Sequence, residues 1–284
     1  MINLMIMNFC RLLKTKSFYI TILIAFAVFF LLSTIETDPA EQEFDKVIAE
    51  QEGISADSEG TGMTLGEDIT ETSHIEDIYR SIVGSGLLLM IIGISSAGFS
   101  SEERNSGFLK NLTVGSREKK YIFISKIPVI LLYSLVLLGS ALLGVKLACL
   151  FRGTPVYTIE SAAGLLFYFI LEVLLHTAYG VFTMAIYEAG RKLIVSVMVA
   201  IFGAMGIFSF IFGMAESRIA SAGGVIGNMV GKIGLSQLMI VTNARGLEVT
   251  PKLMPYWGPF AVALAGIVVY LIIGATVFTK RDTY

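Results

Sequence analysis

The chain has 284 residues, of which 55% are hydrophobic and only 15% charged, with a mean hydropathy of +0.75 and a net charge of −2. A soluble domain of this length needs a more polar shell, so the composition argues against an ordinary soluble protein. A net charge so near zero, with no basic block, also argues against a nucleic-acid partner. The apolar excess lies in long runs, as in a polytopic membrane protein.

The chain starts with "MINLMIMNFCRLLKTK". Wound as a helix, it places Asn3, Met7, Asn8, Arg11 and Lys14 on one side and Met5, Ile6, Phe9, Leu12 and Leu13 on the other. Residues 1–17 therefore read as an amphipathic helix lying in the plane of the inner membrane surface, or else as a positive flank of the first span. The following run is longer than a signal-peptide core and lacks a clear small-residue cleavage site, so it reads as a retained helix.

A helix needs about 20 apolar residues to cross a hydrocarbon core of roughly 30 Å. Six segments meet this expectation: residues 18–35, 82–100, 121–147, 162–187, 193–213 and 257–279. They lack the alternation of transmembrane strands, and small residues in "LLGSALLG" and "FGAMGIFSF" permit close helix packing. The expected fold is an all-α polytopic membrane protein with six transmembrane helices.

Between the first two spans, residues 36–81 carry fourteen acids against Lys46 and Arg80, a net −12. This acidic loop is either a solvated outer loop or a field that attracts cations and cationic peptides. No calcium-loop spacing occurs in it. Residues 101–120, 188–192 and 280–284 form shorter loops or the tail on the other side, and 148–161 and 214–256 return to the acidic side. The Gly-rich "GGVIGNMVGKIGLSQLMIV" suits short helices at that interface, and Tyr256 and Trp257 stand where an aromatic belt belongs. Thirteen Lys and Arg fall on the amino-terminal side and eight on the other, over about twice as many residues. The positive-inside rule then places both N- and C-termini in the cytoplasm. Cys10 and Cys149 would lie at opposite membrane edges, unable to pair, and read as packing residues.

The fourth span contains "LEVLLHTAYG", in which Glu172 and His176 are four residues apart and share a helix face. Ionisable groups inside a membrane rarely face lipid. The pair either fixes helix packing or marks a polar point on a substrate route or proton relay. A metal site would need more ligands. No H-E-x-x-H, G-x-S-x-G or G-x-x-x-x-G-K-[ST] motif is present. The look-alike "GNMVGKIG" has Ile233 where a hydroxyl would hold magnesium. The chain is expected not to be an enzyme by itself, so any energy would come from another subunit.

"SSEERNSGFLKNL", residues 100–112, is a charged stretch wedged between two apolar runs. On a helical wheel Phe108, Leu109 and Leu112 fall within about a 100° arc, with Glu102, Glu103, Arg104 and Lys110 elsewhere. The stretch can form a short amphipathic helix whose apolar residues enter a partner's groove and whose charges form the rim, or it is an ordinary short loop.

Here the residues carry a resemblance. Phe99, Glu102 or Glu103, Gly107, then "LKNLTVGSREKKYIFISK" with Arg117 and Lys126, and the ending F-x-K-R-D from Phe278 to Asp282, resemble the loop and tail of ABC-2-type permeases, the membrane subunits of bacterial ABC exporters, including peptide-exporter and immunity-like ones. Gly115 stands where such permeases often carry Pro. The resemblance covers nearly the whole chain. It implies that Glu102, Glu103, Arg104, Gly107, Phe108, Leu109 and Leu112 belong to a coupling helix that docks on a separate ABC ATPase. It further implies two ATPase copies, ATP and Mg held by those partners and no cofactor on this chain. A second permease chain, the same or related, is implied too, in a bacterial plasma membrane. Export of amphipathic or hydrophobic substrates follows, with the acidic loop tilting the reading toward cationic peptides. The alternatives are a membrane sensor or scaffold with the acidic loop as receptor, or an intramembrane enzyme around Glu172 and His176, which lacks a nucleophile or metal set.

Overall fold

The computed structural model describes residues 2–34, 75–106, 119–151, 162–221, 234–249 and 256–281. Among them there is no strand, and the elements are helices throughout. In chain order they are α1 (Ile2–Lys14), α2 (Lys16–Leu32), α3 (Ile75–Gly84), α4 (Leu87–Asn105), α5 (Lys119–Ile124), α6 (Ile127–Phe151), α7 (Ala162–Gly190), α8 (Leu193–Ala204), α9 (Ile207–Ser221), a 3₁₀ turn (Ser236–Leu238), α10 (Ile240–Arg245) and α11 (Trp257–Arg281).

Three helices are long and apolar enough to cross a membrane: Lys120–Phe151, which takes in most of α5 and all of α6, Ala162–Gly190 and Trp257–Lys280. Three bent pairs qualify if each is one span, bringing the number to six. They are α1 with α2 at 61°, α3 with α4 at 46°, and α8 with α9 at 63°. By length and composition this is an all-α membrane protein. The second and fifth apolar runs, expected as unbroken spans, each carry an elbow instead.

The centre of the bundle is α7. It packs against α4, α6, α8, α10 and α11, and 61% of its most apolar window is buried, against 17% for α11. Small residues permit this crowding. A Cβ at Gly180 would meet Ile130 Cγ2 and Ser96 Oγ at 2.7 Å, and one at Gly93 would meet Ala200 Cβ at 2.9 Å. The main core joins Leu88, Leu89, Ile92, Leu137, Leu175 and Tyr179, and a second cluster around Phe123, Met184 and Phe278 seats the end of α11.

The last part of the acidic loop folds into this core. Ile75, Ile78, Tyr79, Ile82 and Val83 of α3 are buried, and Tyr79 Oη donates to the Leu138 carbonyl at 3.2 Å. The rest of that loop lies outside the described residues. On α1 two polar residues, Asn8 and Arg11, turn inward beside the buried Leu12, while Asn3 and Lys14 stay exposed. Asn8 Nδ2 donates to Ser125 Oγ at 2.9 Å and Arg11 Nη2 to the Phe99 carbonyl at 2.8 Å, while Ile2, Ile6 and Leu13 are exposed. Cys149 is packed in the core as expected, whereas Cys10 is exposed.

Candidate functional site

Two clusters of buried ionisable side chains stand out among the described residues, and α7 contributes to both. The first gathers at the end of the bundle where α4 and α7 finish and α6 begins. Lys126, in the turn between α5 and α6, is completely buried. Its ammonium forms an ion pair with the buried Glu103 of α4, lies 3.5 Å from Glu188 Oε1 of α7 and donates to Ser100 Oγ at 3.1 Å. It also sits 5.5 Å from the centre of the Phe278 ring on α11.

Two arginines flank this core. Arg104 Nη2 donates to Glu188 Oε2 at 2.9 Å, and Arg11 Nη1 lies 3.9 Å from Glu103 Oε1 with its guanidinium 4.4 Å over the Phe99 ring. Lys126 thus opposes two acids, and each acid has a second cation. A lone buried charge costs several kcal/mol, so such a site is tolerable only when neutralised on several sides. The consequence is mechanical. One set of charges fixes α1, α4, α6, α7 and the end of α11 in a common register.

Of the residues the sequence assigned to partner coupling, Glu102, Glu103 and Arg104 are described, and Gly107, Phe108, Leu109 and Leu112 lie outside the described residues. Only Glu102 is exposed. The sequence reading set Glu103 and Arg104 on a charged rim, but Glu103 faces inward to Lys126 and Arg104 closes onto Glu188. α4 continues as helix to Asn105, and that extension carries the 103 and 104 positions back over α6 and α7. Glu188 went unnoticed in the sequence, where it stood beside the short basic loop. α7 runs past Tyr187 to Gly190 and draws Glu188 into the bundle. No local signal in the sequence pointed from Glu188 to Lys126, 62 residues away.

The second group is the Glu172–His176 pair. Both residues are completely buried, and His176 Nδ1 lies 3.1 Å from Glu172 Oε2 and 2.8 Å from the Glu172 backbone oxygen. The tautomer protonated at Nδ1 donates to the backbone oxygen, and the carboxylate lies beside it as a close electrostatic neighbour. His176 Nε2 has no hydrogen-bond partner among the described residues. One turn before Glu172, the buried ring of Tyr168 meets Tyr79 edge-on at 6.0 Å, and the Tyr168 hydroxyl also lacks a partner there. The shared helix face read from the four-residue spacing is therefore a direct contact.

Among the described residues, no three of His, Cys, Asp and Glu converge as metal ligands. The chemistry on offer is charge pairing and hydrogen bonding within a helical bundle. No family model, curated protein or solved structure matches the chain.

Proposed function

We propose that this chain is the transmembrane subunit of an ATP-driven ABC exporter, moving amphipathic or hydrophobic substrates of a cationic, peptide-like kind out of the cytoplasm or the membrane. The observation that carries the reading is the attachment of Glu103 and Arg104 to Lys126 and Glu188. A partner that grips the stretch after Asn105 pulls on α4, and the buried charges pass that pull to α6 and α7 together. A bundle used to turn a partner's closure into helix movement needs such a rigid link.

In this reading the Glu102–Leu112 stretch docks on a separate ABC ATPase, present in two copies that hold ATP and Mg, and two permease chains, the same or related, enclose the route in a bacterial plasma membrane. Glu172 and His176 are the candidate polar point on that route, and the acidic loop supports a cationic cargo. Both termini face the cytoplasm. The competing reading is a sensor or scaffold whose acidic loop is a receptor.

Inactivating the ATPase separates the two. With the partner's phosphate-binding lysine replaced, export predicts loss of peptide efflux or tolerance, whereas sensing predicts that the response to peptide survives.

A further inference from the structure

Two of the three elbows, α3–α4 and α8–α9, meet at one side chain. α3 ends at Gly84 and α4 starts after Gly86, which has φ +81°; α8 ends at Ala204 and α9 starts after Gly206, also at φ +81°. Each break frees backbone carbonyls that a continuous helix would satisfy. Arg245, the last residue of α10, answers both: its Nε donates to the Gly84 carbonyl at 3.0 Å and its Nη1 to the Met205 carbonyl at 3.2 Å. The fixed fork of a guanidinium can serve two acceptors at once, which an ammonium does less well.

Gly206 is required twice over. Its backbone is left-handed, and a Cβ there would come within 2.7 Å of Arg245 Nη1. At the other elbow a Cβ on Gly86 would lie 2.5 Å from the Ala204 carbonyl oxygen, so the two breaks touch directly.

The helices on either side of Gly206 are held very differently. α8 is pinned to α7: Tyr179 Oη donates to the Ala200 carbonyl at 2.5 Å and Ser196 Oγ to the Thr183 carbonyl at 2.7 Å, with Ser196, Ala200, Gly203 and Ala204 all buried. α9 buries none of its fifteen residues, and Phe210, Ile211 and Met214 are each more than half exposed. Polar clips to the segment 234–245 position it. Thr242 Oγ1 donates to Ser209 Oγ at 2.9 Å, and the Ser236 amide and hydroxyl both donate to Glu216 Oε2 at 3.2 Å. That segment is itself seated in the core through Ile240, Val241 and Ala244.

We infer that α9 is a hinged arm that pivots at Gly206, and that Arg245 is its latch, holding the arm's elbow and the α3–α4 elbow in register. A helix without an apolar seat gains little from packing, so a few hydrogen bonds decide its position. Arg245 acts on the arm through its pivot, at the Met205 carbonyl beside Gly206, so losing that guanidinium frees the pivot and the carbonyl at Gly84 together. The inference goes beyond the export reading and holds whatever the bundle carries.

The test uses the full chain in lipid nanodiscs, with Cys10→Ser and Cys149→Ala, and spin labels at Met214→Cys on the arm and Leu143→Cys on α6. One narrow distance distribution is expected with Arg245 present. Arg245→Lys adds a second population, and Arg245→Ala a larger one. A further variant, Ser209→Cys with Thr242→Cys, is oxidised to tie the arm to α10, its cysteines joined before labelling. Tying removes the second population. Unchanged distributions in both Arg245 variants would overturn the inference. So would a second population that survives the tie, which marks general loosening of the bundle, or failure of the two cysteines to join. Arg245→Lys keeps the question open to measurement if the alanine variant does not fold.

Discussion

Arg104 of α4 and Glu188 of α7 are joined by a 2.9 Å charged hydrogen bond, with Lys126 touching the same carboxylate from the other side at 3.5 Å. This contact ties the end of α4 to the helix at the centre of the bundle. The arrangement makes the charges interdependent, and several outcomes follow.

Replacing Lys126 with Met should be severe. It leaves Glu103 and Glu188 buried and faced, among the described residues, by the partly exposed Arg11 and Arg104. Breaking a buried ion pair from one side costs about 3–5 kcal/mol. A large fall in the unfolding temperature in detergent is expected, with part of it recovered when Glu103→Gln is added.

Arg104→Ala should cost less stability, because the arginine is 23% exposed at its side chain and water replaces some of what it loses. Its larger effect is expected on coupling. On the proposed export reading, peptide-stimulated ATP hydrolysis by the chain with its ATPase should drop several-fold while the unfolding temperature moves little.

The Glu172–His176 pair predicts a different pattern. His176→Leu leaves a completely buried carboxyl group without its polar neighbour and should destabilise the chain by about 1–3 kcal/mol. The double change Glu172→Leu, His176→Leu removes both polar groups and should recover most of that loss. Thermal unfolding of the three variants measures the pair's structural part. Export by the stable double variant then measures its part in the route.

Gly180→Ala tests the close packing around α7. The added methyl group would stand 2.7 Å from both Ile130 Cγ2 and Ser96 Oγ. Overpacking of this kind costs about 1–3 kcal/mol. A lower unfolding temperature is expected, and Ile130→Val should restore part of it by making room.

The apolar runs were legible because membrane-compatible helices announce themselves by length and lack of charge. The shared face of Glu172 and His176 was legible too, since four residues make about one helical turn, but whether the two side chains meet each other was left open by the spacing. α3 was hidden in plain view. Its buried positions 75, 78, 79, 82 and 83 follow helical spacing, but the acids Glu76 and Asp77 made the stretch read as the end of a solvated loop. The elbows at Gly86 and Gly206 were not legible, because glycine inside an apolar run equally serves close packing, and only the backbone angle distinguishes the two uses. Nor could the charge cluster be read. Glu103, Lys126 and Glu188 are distant in sequence, and nothing local says that an acid at one helix end meets a lysine at the start of another.

The measurement that bears most directly on the central claim is purification of the intact chain from its native membrane in mild detergent, with mass spectrometry of what accompanies it. It would be run beside a Phe108→Asp, Leu109→Asp variant. The account predicts an ABC ATPase with the unaltered chain and its loss in the variant, while the buried charge cluster keeps both bundles equally stable. A stable helical protein that brings down no ATPase under any nucleotide condition would contradict it.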